Sequence, residues 1–278
     1  MTKITAAEVN NLRQATGAGM MDCKKALTES DGDFDQAVEI LRKKGQKVAS
    51  KRADRAANEG VVLAKTNNDA TFASMIMLNS ETDFVAKNDE VVSLAKNILN
   101  IAIENQVKTR DELLDTKMDE RTIGEHVTDM IGKTGEKLTL SNYEAISGVI
   151  TFAYTHSNSK VASIAALNKK DVNNIEEIGK DVVMQIAAMS PVAIDKGDVP
   201  QEMIDSELEI GKDQARQEGK AEELLEKIAM GKVNKFYKES TLLNQEFIKD
   251  SKKTVRQMLT EADKELTVTE FKRLALGQ

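Results

Sequence analysis

Few residues in this chain have the types and spacing that could do chemistry. The single cysteine, Cys23, stands beside Lys24 and Lys25, whose charges would favour a thiolate. It also falls within a short apolar helical pattern, where an inert, semi-buried thiol is the simpler reading. With it, His126 and His156 supply too few soft ligands for a zinc site, and no metal site is expected. His156 precedes a turn and reads as a surface polar residue rather than a general base. Gly17-Ala-Gly19 lacks the Gly-Lys-Ser/Thr of a phosphate-binding loop, no Gly-x-Gly-x-x-Gly follows a strand, and no Gly-x-Ser-x-Gly elbow occurs. No enzyme, no cofactor and no direct nucleotide binding are therefore expected.

What remains is recognition chemistry. In Glu81-Thr-Asp-Phe-Val-Ala-Lys-Asn88 an aromatic stands among polar neighbours just before a helix. Taken alone, Phe84 either folds back onto that helix while Asp83 helps cap it, or projects as a desolvated anchor for a partner. A second feature is basic: Arg42, Lys43, Lys44, Lys47, Lys51, Arg52 and Arg55 stand against one acid, Asp54. They read as cations at a helix C-terminus running into a solvated tether, or as a contact for RNA or an acidic partner.

The elements that must position these residues follow from pattern. At 278 residues, two domains and a smaller third are expected. The hydrophobic fraction of 40% and charged fraction of 31% suit a globular protein with real cores. A net charge of −7 argues against a uniformly basic nucleic-acid binder, so direct RNA contact is not expected. No apolar stretch approaches a membrane span, and Met1-Thr-Lys-Ile-Thr5 lacks a signal-peptide core. One cysteine fits a reducing compartment, so a cytoplasmic protein is expected. Two prolines, with abundant Ala, Leu, Lys and Glu, favour long helices.

Residues 1–55 read as a three-helix domain with a basic linker. Thr5-Ala-Ala-Glu8 is a capping box, and Gly17-Ala-Gly19 ends the first helix. A short second helix spans 20–28. Asp33 caps the third, whose Phe34, Ala37, Val38 and Leu41 share a face and which is expected to stop near Gly45. Residues 56–148 and 149–278 read as two related α+β subdomains, each a hairpin followed by a long helix. The hairpin strands are expected at 61–65 and 71–78, then at 149–154 and 161–167. A capping box at Thr122-Ile-Gly-Glu125 opens a further helix ending near Gly132. Within the second unit, residues 200–235 read as an antiparallel helical hairpin. Its narrow seam is Ile204, Leu208, Gly211 and Ala215 against Leu225, Ile228, Ala229 and Val233. A helix around 255–262 and a strand near 267–276 complete the chain.

Three runs carry a family resemblance: Leu12-Arg-Gln-Ala-Thr-Gly-Ala-Gly-Met-Met-Asp-Cys-Lys-Lys-Ala-Leu27, the acidic run from Glu81 to Asn88, and a diffuse third. The third comprises Gly231-Lys-Val-Asn-Lys-Phe236, Asn244-Gln-Glu-Phe247 and Ser251-Lys-Lys-Thr-Val255. Together they resemble bacterial translation elongation factor Ts over essentially the whole chain. That family exchanges guanine nucleotide on the GTPase elongation factor Tu. It has a ubiquitin-associated-like N-terminal domain, a two-subdomain core and a protruding coiled-coil hairpin. The resemblance implies that Asp83 and Phe84, flanked by Thr82 and Val85, push between helices of the partner near its magnesium and phosphate site. It also implies that Met20, Met21 and Lys24 form an N-domain contact face, although Met in the local core is the alternative. Gly135 and His156 match contacts of the core less closely. Ser80 and Glu246 depart from the family's frequent cysteine and proline. Up to Gln278 there is no counterpart of the C-terminal helical module some members carry, so no contact by it is expected. Two other classes compete: a ubiquitin-associated-like interaction module on an unrelated core, which leaves Glu81–Asn88 without a role, and an RNA-binding protein using residues 42–55, which predicts steeply salt-dependent RNA affinity.

Overall fold

Capping chemistry and apolar periodicity build the N-terminal helices α1 (Ala6–Thr16), α2 (Met20–Glu29) and α3 (Phe34–Lys51) in the computed structural model, which describes residues 3–277. The Glu8 carboxylate accepts from Thr5 N–H at 2.7 Å while the Thr5 hydroxyl accepts from Glu8 N–H at 3.3 Å. Gly17 then ends α1 in the left-handed region at φ 68°. Val9, Leu12, Cys23, Ala26, Leu27 and Ala37 make the small core.

α3 departs from expectation, passing through Gly45 and ending only at Lys51. Gly45 acts as a contact rather than a stop. A Cβ built there would lie 3.5 Å from the Cα of Gly132, on a helix of the next unit. Two glycines let two backbones approach, and that packing outweighs glycine's poor helix propensity. Val48 and Ala49 then pack onto the neighbouring core. Much of the stretch read as linker is thus helix.

The next unit begins with the hairpin β1 (Glu59–Thr66) and β2 (Phe72–Ser80), followed by α4 (Asp83–Ala86) and α5 (Asp89–Glu104). After them come α6 (Arg110–Asp115), β3 (Lys117–Met118), β4 (Arg121–Thr122), α7 (Ile123–Thr134) and β5 (Leu138–Ser147). β5 pairs antiparallel with β2 and was not expected from the sequence. The register shifts between Met77 and Leu78, so the buried residues of β5 run Leu138, Leu140, Tyr143, Ile146. That bulge breaks the period of two by which a strand is recognised. The six-residue α6 is likewise too short to show a helical period.

The second unit repeats the plan with β6 (Ile150–Thr155), β7 (Val161–Leu167) and α8 (Ile175–Met189). α9 (Gln201–Gln217) and α10 (Glu222–Ser240) form the helical hairpin. β8 (Glu246–Phe247), β9 (Asp250–Thr254), α11 (Val255–Ala262) and β10 (Val268–Ala275) follow. The sheet orders are β1-β2-β5 and β6-β7-β10, so in both units the last strand returns beside the second. The architecture is α+β.

Alternation along the central strands stacks the layers. Phe72, Ile76 and Leu78 of β2 join Ala95, Ile98 and Leu99 of α5, while Ala73, Met75 and Met77 point the other way. There they meet Ala162, Ile164 and Ala166 of β7, whose Ala165 and Leu167 turn to Val182, Val183 and Ile186 of α8. The order is helix, sheet, sheet, helix. The hairpin stands apart, closed by Gly211, Ala215, Leu225, Ala229 and Val233. A Cβ on Gly211 would sit 3.0 Å from Ala229 Cα, which is why a glycine lies at this crossing. Among the described residues, no helix is long and apolar enough to cross a membrane.

Candidate functional site

The chain leaving β2 is turned sharply by its own polar groups. Ser80 is fully buried, and its hydroxyl donates to the Thr82 carbonyl at 2.8 Å. Thr82 caps α4, accepting from Val85 N–H at 3.4 Å, and donates its own hydroxyl to the Glu136 carboxylate at 2.9 Å. The Thr82 N–H donates to the same carboxylate at 3.1 Å. Glu136 is delivered by Gly135, which ends α7 at φ 71° with its N–H on the Ile131 carbonyl. No atom lies within 4 Å of where a Gly135 Cβ would be, so the left-handed turn, not crowding, calls for glycine here.

Glu81 is the second point of this brace. Its carboxylate accepts from Arg52 Nη1 at 2.7 and 2.9 Å and from Lys137 N–H at 2.6 Å, with Arg55 at 3.7 Å. The Lys137 N–H, then Arg52, hold it below the ordinary carboxylate range. Lys137 returns the tie, its Nζ donating to the carbonyls of Ala53 at 2.6 Å and Arg55 at 2.9 Å.

On this footing α4 directs Asp83 and Phe84 outward. Phe84 is 84% exposed, so it does not fold back onto its helix, while Val85 packs inward against the first core. An exposed phenyl ring forgoes roughly 1.5–3 kcal/mol of burial that a partner pocket could supply. The cap is Thr82; Asp83 instead pairs with Lys87 one turn on at 2.7 Å. That bond, aided by the charges of Lys87 and Lys160, lowers the Asp83 pKa. Lys160 belongs to the β6–β7 turn, whose Ser159 carbonyl accepts from Val62 N–H at 2.8 Å and whose Lys160 pairs with Glu59 at 3.1 Å. The turn carrying His156 therefore opens near α4. His156 is exposed, with Nδ1 2.8 Å from the Tyr154 hydroxyl. His126 does structural work, its Nε2 donating to the Met118 carbonyl at 2.9 Å.

On the N-terminal bundle, Met20 and Met21 are 61% and 63% exposed and Lys24 is exposed too. Cys23, Ala26 and Leu27 fill the local core instead, so the two methionines are surface. The basic run is partly consumed within the chain: Lys43 pairs with Glu39, Lys44 with Asp22, and Arg52 and Arg55 with Glu81. The arrangement offers an outward aromatic on a braced helix start, a methionine pair and a neighbouring turn. Among the described residues, no group of three or more His, Cys, Asp or Glu could hold a metal.

Sequence reasoning missed the brace itself. Arg52 and Glu81 are 29 positions apart, and Thr82 and Glu136 are 54. The available signal was Gly135 as a helix stop followed at once by a carboxylate.

Residues 81–278 match the family model described as Elongation factor TS. The chain is similar to Elongation factor Ts of Cytophaga hutchinsonii, with 49% identity covering 100% of both chains. It is 47% identical to that of Christiangramia forsetii across 100% of both. Against that of Porphyromonas gingivalis it is 49% identical over 99% of this chain and 98% of the other.

Proposed function

Because the chain belongs to the elongation factor Ts family, we propose that it is a guanine-nucleotide exchange factor for elongation factor Tu, acting in translation elongation in the cytoplasm. Exchange needs no covalent step. A protein that binds the nucleotide-free GTPase more tightly than the nucleotide-bound one lowers nucleotide affinity by the same factor. A thousandfold faster release requires about 4 kcal/mol of extra stabilisation at the release transition state.

In this proposal Phe84 is the wedge that enters the GTPase domain, and Asp83 acts electrostatically near the partner's magnesium and phosphate site. The carrying observation is the 84% exposure of Phe84 on a short helix whose start is held by the Thr82–Glu136 bonds and by Glu81 on Lys137 N–H. Rigid presentation matters, since a wedge that must first be ordered loses part of its binding free energy. Met20, Met21 and Lys24 form a second contact on residues 1–55, and Gly135 and His156 border the core contact. Residues 56–148 and 149–278 serve as the two core subdomains, with the hairpin at 200–235.

The test is release of labelled GDP from elongation factor Tu with and without the chain. Phe84→Ala should leave the melting temperature within about a degree, because the ring is in water already. Loss of one desolvated aromatic anchor costs about 2–4 kcal/mol in a complex, so stimulated release should fall roughly 30- to 1000-fold. Asp83→Ala should lose less and shift the magnesium dependence. Earlier unfolding of Phe84→Ala with normal exchange per folded molecule would remove the wedge.

A further inference from the structure

We propose that Glu81 is a positioning residue: it clasps the N-terminal helices to the root of α4, so that the Met20–Met21 face and Phe84 reach the GTPase as one preset surface. This rests on the exchange reading above. Glu81 stands at the foot of the wedge with only 13% of its side chain exposed. Its side-chain partners, Arg52 and Arg55, both come from the segment that joins the helical bundle to the core. The tie runs in both directions, since Lys137, bonded through its N–H to Glu81, sends its ammonium back to the Ala53 and Arg55 carbonyls. Residues 52–55 lie between the end of α3 and the start of β1, outside any helix or strand. Side-chain and backbone bonds to residues 81 and 137 thus hold this joint.

Two further contacts show that the bundle is seated above the clasp. Gly45 of α3 meets Gly132 of α7 backbone to backbone, with a Gly132 Cβ placed 3.1 Å from the Gly45 Cα. Lys133, paired with Glu90 at 3.3 Å, lies over Gly17, immediately ahead of α2 and its methionines. A free polar tether would present the methionine face at an effective concentration in the millimolar range. A clasped one loses its ordering entropy on folding rather than on binding. The consequence is specific: the ion pairs to Arg52 and Arg55 matter to affinity through the bundle's contact face, while the Glu81 bond to Lys137 N–H and the Thr82–Glu136 bonds, kept in both variants, go on holding the wedge.

The full-length chain tests this with Arg52→Ala/Arg55→Ala, which leaves Glu81 its bond to Lys137 N–H, and with Glu81→Gln, which keeps that acceptor but removes the charge. Amide hydrogen exchange over residues 52–58 of the free chain should quicken about tenfold in both variants. The concentration giving half-maximal stimulated GDP release from elongation factor Tu should rise about tenfold, with the maximal rate within about twofold of native. In a Met20→Ala/Met21→Ala background the same clasp variants should cost less than about twofold, because the face they present is gone. Equal losses in both backgrounds, a fall in maximal rate at unchanged half-maximal concentration, or unaltered hydrogen exchange would each overturn the clasp. A native chain that leaves GDP release unchanged would sink the exchange reading instead, and is recognisable because no variant then alters release.

Discussion

Glu81 and Phe84 are close neighbours with opposite fates, one enclosed by cations and the other in water. Enclosure makes Glu81 sensitive to acid. Its folded-state pKa lies below the ordinary 4.5, so its contribution to stability is complete above that value. It is lost as pH falls through the folded value. Melting curves of native chain and Glu81→Gln should differ at pH 7 and draw together as pH falls below 4.5. A gap that does not narrow with acid would mean that the carboxylate is not ion-paired in solution. Thr82 offers a neutral counterpart. Thr82→Ala removes the cap of α4 and a hydroxyl from Glu136, an effect of about 0.5–2 kcal/mol at helix caps. It should lower the melting temperature slightly and weaken exchange, because Phe84 is then less well held.

At the scale of elements, glycines stand at several crossings of a helix with its partner: Gly45 on Gly132, Gly211 on Ala229 and Gly179 on Phe152. Gly179 of α8 is the tightest: a Cβ there would lie 2.3 Å from the ring of Phe152, which is buried. Gly179→Ala gains helix propensity worth about 0.5–1 kcal/mol, but must displace a packed aromatic at about 1–3 kcal/mol. The larger effect decides, and the variant should melt several degrees early. The hairpin behaves differently. Ala215, Leu225, Ala229 and Val233 are buried on one another and lie outside the core clusters of the body. Excising residues 207–230 and closing the helices with a short turn should leave the melting of the remainder within a degree or two. A large loss would show that the hairpin braces the core.

At the scale of the whole molecule, the two α+β units share a third core between their sheets. Val62, Met75 and Ile146 come from one unit, and Ala162, Ile164 and Leu274 from the other. Backbone bonds cross as well, from Val62 N–H to the Ser159 carbonyl at 2.8 Å and from Thr151 N–H to Ala70 at 2.6 Å. Neither sheet can leave without exposing the other, so calorimetry should show one main transition for residues 56–277. Ile164→Ala, emptying a fully buried site, should lower that single transition by the equivalent of about 2–5 kcal/mol. Two transitions, with only one moved, would show that the units unfold independently.

The parts legible in the sequence are those whose signal is local. Thr5 and Glu8 cap a helix because three residues suffice to bring their groups together. The hairpins β1–β2 and β6–β7 announce themselves by alternation around short turns, and the seam from Gly211 to Val233 by helical spacing. The family, too, was legible, through consecutive residues from Glu81 to Asn88. Other features depend on chain segments that only folding brings together. α3 runs past Gly45 because Gly132 waits across the interface, and β5 is a strand because β2 pairs with it through a bulge. Residues alone left Phe84 either on its own helix or in solvent; the Thr82–Glu136 and Glu81–Lys137 bonds, formed across 54 and 56 positions, fix the helix that directs it outward. Local pattern carries the period and the caps of each element, whereas closure of long loops is settled by the total free energy of the packed chain.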